Sequence, residues 1–220
     1  MTSNQSTVLV ERASEGRIAT VTLNRPEAYN ALNTQLAKDL VTAFDALSAD
    51  QTLRCVVLTS SGTKAFCAGA DLKERADMTA EAWFEQHQIF ETAFDYLRGF
   101  SKPLFAAVNG VAAGGGLELA LNTDFILASD TARFGQPGVK VGIIPGGGAV
   151  QVLPLWLPMG LARQLLMTGE LIDAQRALAA GLVNSLHRPE QLLPAALGIA
   201  EQIIANSPTP TARSGLRRSR

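Results

Sequence analysis

The spacing of apolar and polar positions changes period several times along the chain, and each change marks an element. Val8 to Val10 and then Gly16 to Leu23, rich in β-branched residues and alternating, read as two early strands, the second closed by Asn24-Arg25-Pro26. Asn33-Thr34 supplies an N-cap for a helix whose Leu36, Leu40, Phe44 and Leu47 recur at helical spacing. Arg54 to Thr59 is a short continuous apolar run, the signature of a strand buried on both faces. A loop is expected from Ser60 to Ala70. Beyond it, Trp83, Phe90, Phe94 and Leu97 form one apolar helical face. His87 falls on that stripe and reads as a hydrogen-bonded core or interface residue.

The second half continues the alternation. Pro103 to Val108 and Asp124 to Ala128 read as strands, and between them Gly114 to Leu121 begins as glycine and turns into helix former. Segments 149 to 157, 159 to 168, 173 to 180 and 191 to 205 read as helical and Leu182 to Leu186 as extended, with His187 at a surface strand end. Strands and helices in alternation, without repeats or linkers, give an α/β fold in one domain.

Composition narrows the classes. The chain has 220 residues, 47% hydrophobic and 18% charged, enough to bury a core. No run approaches the ~18 apolar residues of a membrane span. A net charge of -1 lacks the basic face that nucleic acid or an anionic membrane attracts, so neither is expected as a partner. The exception is Arg213, Arg217, Arg218 and Arg220, read as a solvated end. Two cysteines, Cys55 and Cys67, are too few for a disulfide framework, and with no secretory signal in the first ten residues a reducing, cytoplasmic setting is expected.

Several chemistries are excluded by motif. No Walker loop occurs, and GxGxxG fails because Leu119 and Gln151 stand where a third glycine is needed. HExxH and GxSxG are missing, and with only His87 and His187 available no metal site is expected. The glycines say more. Of 19, ten fall between 110 and 148, where backbone freedom or close approach is required.

Two stretches point to a reaction. In KAFCAGADLKE (64 to 74), small residues precede a turn in which Asp71 and Glu74 have capping-box spacing. In NGVAAGGGLELALN (109 to 122), three glycines precede a helix that carries Glu118 about one turn in. A tight turn feeding a helix and a capping-compatible carboxylate are the purely structural readings. The functional reading joins them: two backbone N–H donors from different loops meet one developing negative oxygen, with a carboxylate nearby for proton transfer.

These residues carry a resemblance. TVTLNRPEAYNAL (20 to 32), FCAGADLKE (66 to 74), PLFAAVNGVAAGGGLELAL (103 to 121), DFILASDTARFGQPGVKVGIIPGGG (124 to 148), LMTGELIDAQRALAAGLVN (166 to 184) and SPTPTAR (207 to 213) resemble the crotonase superfamily, the enoyl-CoA hydratase/isomerase family, in order and spacing. The resemblance implies a crotonase-type spiral of ββα units acting on an acyl-CoA thioester, with coenzyme A as part of the substrate and no further cofactor. It implies Ala70 and Gly115 as the oxyanion-hole amides and Glu118 as the proton-transfer group. Ala68, Gly69, Ala70, Asp71, Leu72 and Lys73 would lie along the CoA moiety, with Arg25 and Ala28 near its nucleotide end. A Clp-type serine protease, a fold relative, would need a serine where Gly114 to Gly116 stand.

The sequence departs from that family in two places. Its hydratases use a second glutamate, twenty residues after the first, and position 138 is glycine. Three readings stay open: Glu118 acting alone in hydration, isomerisation or other enolate chemistry; Gly138 making room for a bulkier acyl group; or a CoA-ester-binding protein with little turnover. Lys140 and Asp71 are the charged candidates to substitute for the second glutamate. The resemblance also implies helices beyond SPTPTAR that cover the pocket and build a homotrimer or a dimer of trimers, so the helical C-terminal part is expected to be incomplete. The expected division is 1 to 206 for the acyl-CoA-binding domain and 207 to 220 for the start of a helical region or tail.

Overall fold

The computed structural model describes residues 6–208; the arginine-rich end and nearly all of the segment 207 to 220 lie outside them. Strands β1 (Val8–Ala13) and β2 (Ile18–Leu23) form an antiparallel hairpin at the edge of a six-stranded sheet. Strands β3 (Cys55–Ser60), β5 (Leu104–Val108), β7 (Ile126–Ser129) and β10 (Ser185–His187) continue it in parallel. A four-stranded sheet holds β4 (Ala65–Cys67), β6 (Val111–Ala113), β8 (Arg133–Gly135) and β9 (Leu171–Asp173).

The chain visits both sheets in each turn. From β3 it passes to β4 and on to helices α2 (Leu72–Arg75) and α3 (Ala80–Arg98); from β5 to β6 and helix α4 (Gly115–Leu121); from β7 to β8 and, after a 3-10 turn at Pro137–Val141, helix α5 (Ala149–Trp156). Each turn adds one parallel strand to each sheet, as the registers Val56↔Leu104 and Ala65↔Val111 show. This is a spiral of ββα units. Helix α1 (Thr34–Ala49) packs on α3, and α6 (Met159–Thr168), α7 (Ala174–Ala179) and α8 (Pro189–Ala205) complete the fold.

Side-chain alternation on the large sheet divides the interior in two. Val56, Leu58, Ala106, Val108, Ile126 and Ala128 face the core shared with α1, α3, α4 and the small sheet. Cys55, Val57, Phe105, Ala107 and Leu127 face α8, where Leu192, Ala196, Ala200 and Ile204 cover them. Burying a side chain the size of Leu192 or Ile204 is worth about 1.5–3 kcal/mol, so α8 seals a face that would otherwise be wet. The continuous apolar run in β3 reflects this burial on both sides.

The Asn33 cap is observed, its Oδ1 accepting the Leu36 N–H at 2.9 Å. The expected loop over 60 to 70 contains β4, and β6, β8 and β9 also escape the sequence pattern, being three residues each. The extended segment placed at Leu182 to Leu186 forms its strand later, at Ser185–His187. Leu182 instead donates to Ala177 O at 2.9 Å in the turn after α7.

Candidate active site

Two turns at the ends of β4 and β6 lie side by side. After Cys67 the chain needs φ of 100° at Gly69, a left-handed value that disfavours any side chain, and passes close to Ala113 O. Leu32 N donates to Gly69 O at 2.7 Å and Asp71 N to Leu32 O at 2.8 Å, an isolated parallel bridge. Those bonds use the residues flanking Ala70, so its own N–H points the opposite way and meets no acceptor among the described residues. On the neighbouring turn, Gly115 opens α4, where an N–H has no intrahelical partner; it too meets no acceptor among the described residues. A Cβ on Gly115 would stand 3.9 Å from Gly69 Cα, and one on Gly116 only 2.0 Å from Cys67 O. Glycine at 116 therefore lets α4 seat directly on β4 and brings the two N–H groups to one place.

Glu118 lies on the first turn of α4 and is 4% exposed. Its Oε1 accepts the Ala149 N–H at 3.0 Å, so the carboxylate caps α5 and not the helix that carries it. Burial pushes the carboxyl above its ordinary value, against the Ala149 and Gly147 N–H groups and the charge of Arg98, which favour the ionised form. Asn122 braces this corner, donating to Glu118 O at 2.9 Å and Gly147 O at 3.1 Å.

A cavity of about 740 Å³ opens in front of these groups. Ala68, Gly69, Ala70, Leu72, Gly115, Glu118 and Gly138 of the expected site residues line it; Arg25, Ala28, Asp71 and Lys73 do not. Arg25 and Asp71 brace the loop from behind. Arg25 Nη2 meets Asp71 Oδ2 at 3.0 Å, while Asp71 Oδ1 accepts the N–H groups of Lys73 and Glu74 and caps α2. Burial works to raise the Asp71 carboxyl, but Arg25 and these two N–H groups outweigh it and hold it below its ordinary value. Lys73 is exposed and Ala28 half-buried.

The capping box is only half formed. Glu74 does not reach back to Asp71; its carboxylate accepts Thr34 N at 3.0 Å and the Gln86 Nε2 at 2.7 Å, tying α2 to α1 and α3. Gln86, buried on α3, also donates to Thr34 Oγ1 at 2.9 Å and accepts from Arg75 Nε at 2.7 Å.

Two expectations need correction. His87 is not a core residue: it lines the cavity, stacked on Trp83 with ring centroids 5.1 Å apart and with Nε2 3.3 Å from Glu91 Oε1. A stripe at helical spacing shows which face is covered, not whether packing or a cavity covers it. Gly138, moreover, opens no room at its own Cβ position, because that point lies 2.8 Å from the Ile143 carbonyl oxygen. Ile143 N donates to Gly138 O at 2.9 Å, closing the turn that brings the two residues together. Of the nearby charges, Asp71 is turned away, and Lys140 lines the cavity with its stem against Gly169. Arg75, Trp83, Glu91 and Gln136 also line it; Trp83 stands on the apolar stripe of α3 and Gln136 in the 124 to 148 stretch, but no motif marks any of the four as a site residue.

Residues 13–214 match the family model described as enoyl-CoA hydratase/isomerase. The chain belongs to that family. It is 41% identical over 201 residues to the short-chain-enoyl-CoA hydratase of Clostridium acetobutylicum, covering 91% of this chain and 76% of that protein. The crotonyl-CoA hydratase of Syntrophomonas wolfei is 40% identical over 191 residues, covering 87% and 74%. Among solved structures, the enoyl-CoA hydratase of Bacillus anthracis superposes with a TM-score of 0.92 at 36% identity, covering 95% of this chain and 81% of that one. Like other members of the enoyl-CoA hydratase/isomerase family, the chain is an enzyme of the crotonase fold. Among the described residues no helix is long and apolar enough to cross a membrane.

Proposed function

We propose that this enzyme hydrates the conjugated double bond of a short acyl-CoA thioester. The observation that carries the reading is that two N–H groups with no acceptor among the described residues, on Ala70 and Gly115, share a single cavity with one buried carboxylate, Glu118. The amides polarise the thioester carbonyl, and in comparable sites one such donor is worth about 2.7–4 kcal/mol in the transition state. Glu118, its proton affinity raised by burial, takes a proton from water as the oxygen bonds to Cβ. Ala68, Gly69, Ala70 and Leu72 support the CoA moiety where the loop lines the cavity, with Arg25 and Asp71 fixing the loop's shape.

The test is loss of the conjugated thioester absorbance with crotonyl-CoA, for the wild type and Glu118→Gln. The expected result is turnover that falls by roughly 10²–10⁴-fold in the variant. Full turnover in Glu118→Gln would overturn the assignment. Affinity for CoA thioesters without turnover across a substrate panel would point to a binding protein. A single carboxylate also suits a double-bond shift, and chromatography of the products separates a 3-hydroxyacyl thioester from an isomer.

A further inference from the structure

Gly138 brings no side chain for proton transfer to the cavity, and His87 is a titratable side chain that lines it. His87 lies on α3 with its Nε2 at 3.3 Å from Glu91 Oε1 and its ring stacked on Trp83. Those two contacts set the ring's orientation, with Nε2 toward Glu91. Nδ1 has no partner among the described residues, and the ring presses against Gly146, where an added Cβ would stand 2.9 Å from Cε1 and 3.6 Å from Nδ1. The next residue, Gly147, packs against the Phe94 ring and the Glu118 carboxyl, its Cβ position 2.6 Å from Phe94 Cε2 and 2.9 Å from the carboxyl carbon. Adjacent Cα atoms are about 3.8 Å apart, so the imidazole and the carboxylate contact neighbouring residues of one glycine run. Both side chains line the cavity that the Ala70 and Gly115 amides enter.

Resting on the hydratase reading above, we infer that His87, oriented by Glu91, is the second proton-transfer group of this site. Glu118 takes a proton from water while the oxygen bonds to Cβ, and the π pair moves to the thioester oxygen held by the two amides. The enolate then returns its electrons to Cα, which takes a proton from the His87 imidazolium. Product release leaves Glu118 protonated and His87 neutral, and transfer of one proton from the first to the second through water restores both. The charged residues that line the cavity with the imidazole are Glu91 on its own helix, Arg75 of α2, Glu118 of α4 and Lys140 of the 137 to 141 turn. A side chain at Gly146 would meet the imidazole, and one at Gly147 the Phe94 ring and the Glu118 carboxyl.

The test is the pH dependence of kcat on crotonyl-CoA for wild type, His87→Gln, His87→Ala and Glu91→Gln, with added imidazole. His87→Gln preserves a hydrogen-bonding side chain but exchanges no proton. We expect roughly a 10²-fold loss of kcat and a changed pH profile in both His87 variants, a smaller loss in Glu91→Gln, and partial rescue of His87→Ala by imidazole. Affinity for a non-reactive acyl-CoA, measured by calorimetry, should stay within a few-fold and certifies the folded site. An unchanged kcat and pH profile in His87→Gln, with Glu118→Gln inactive, overturns this inference and leaves the hydratase reading standing. Absence of wild-type turnover overturns both.

Discussion

The Glu118 carboxylate accepts the Ala149 N–H at 3.0 Å, so the proposed base is also the cap of the helix that follows the glycine run. The bond holds the carboxylate in place while burial raises its proton affinity, and the two effects make separate demands on the fold. Because the folded-state value is raised, the native state holds its proton more tightly than the unfolded chain, and stability falls as pH rises above the ordinary value of 4.5. Glu118→Gln retains an acceptor for Ala149 and removes the charge. It is expected to lose activity, to keep or gain thermal stability at neutral pH, and to flatten that pH slope, as calorimetry across pH would show.

Placing a carboxylate back at 138 is not a simple restoration. The first atom of any side chain there meets the Ile143 carbonyl at 2.8 Å. Gly138→Ala and Gly138→Glu are expected to cost about 1–3 kcal/mol, the usual range for overpacking, and Gly138→Glu to give no rise in hydratase rate. Denaturant unfolding and the crotonyl-CoA assay measure the two outcomes.

Asp71 and Arg25 stabilise the loop that presents Ala70 without lining the cavity. The Asp71 carboxyl is held below its ordinary value, so its contribution is fully present above 3.8 and is lost as pH falls through the folded-state value. Asp71→Asn should therefore cost about 1–3 kcal/mol at neutral pH, with wild type and variant converging in acid. Urea unfolding at a series of pH values reads this directly.

Gln86 joins Thr34, Glu74 and Arg75 from a position where water cannot replace it, being 2% exposed. Gln86→Leu removes all three partners and leaves Glu74 and Arg75 undersatisfied. The expected result is a loss of about 1–3 kcal/mol and a KM for crotonyl-CoA raised more than kcat is lowered, since α2 follows the Ala70 loop.

Much of this was legible in the residues themselves. Strand β3 announced itself by an apolar run, and α1 by Asn33 followed by an apolar period, because local chemistry dictates both. The two turns and Glu118 are legible through small residues before helix starts, while Ala70 and Gly115 as the individual amides come from the family resemblance alone. The strands of the small sheet are not legible, since three residues such as Arg133–Gly135 are too few to establish alternation. His87 was placed on the right stripe and assigned the wrong surroundings, because periodicity carries no information about what stands opposite. At Gly138 the missing carboxylate was plain, but the chain reversal that brings Ile143 into its place depends on a turn whose closure no spacing reveals.

The two cysteines give the fold a pair of internal reporters. Cys55 lies in the large sheet under α8 and Cys67 in the small sheet under α4, both free and buried, and burial pushes each thiol up to about 12. A thiol that is neither ionised nor accessible reacts with an alkylating reagent only when its surroundings open. Timed labelling followed by peptide mass analysis would thus clock the two sheets independently. Equal rates would mean that the spiral opens as one cooperative unit, and a faster rate at Cys67 would mean that the layer bearing the catalytic turns breathes while the larger one stays shut.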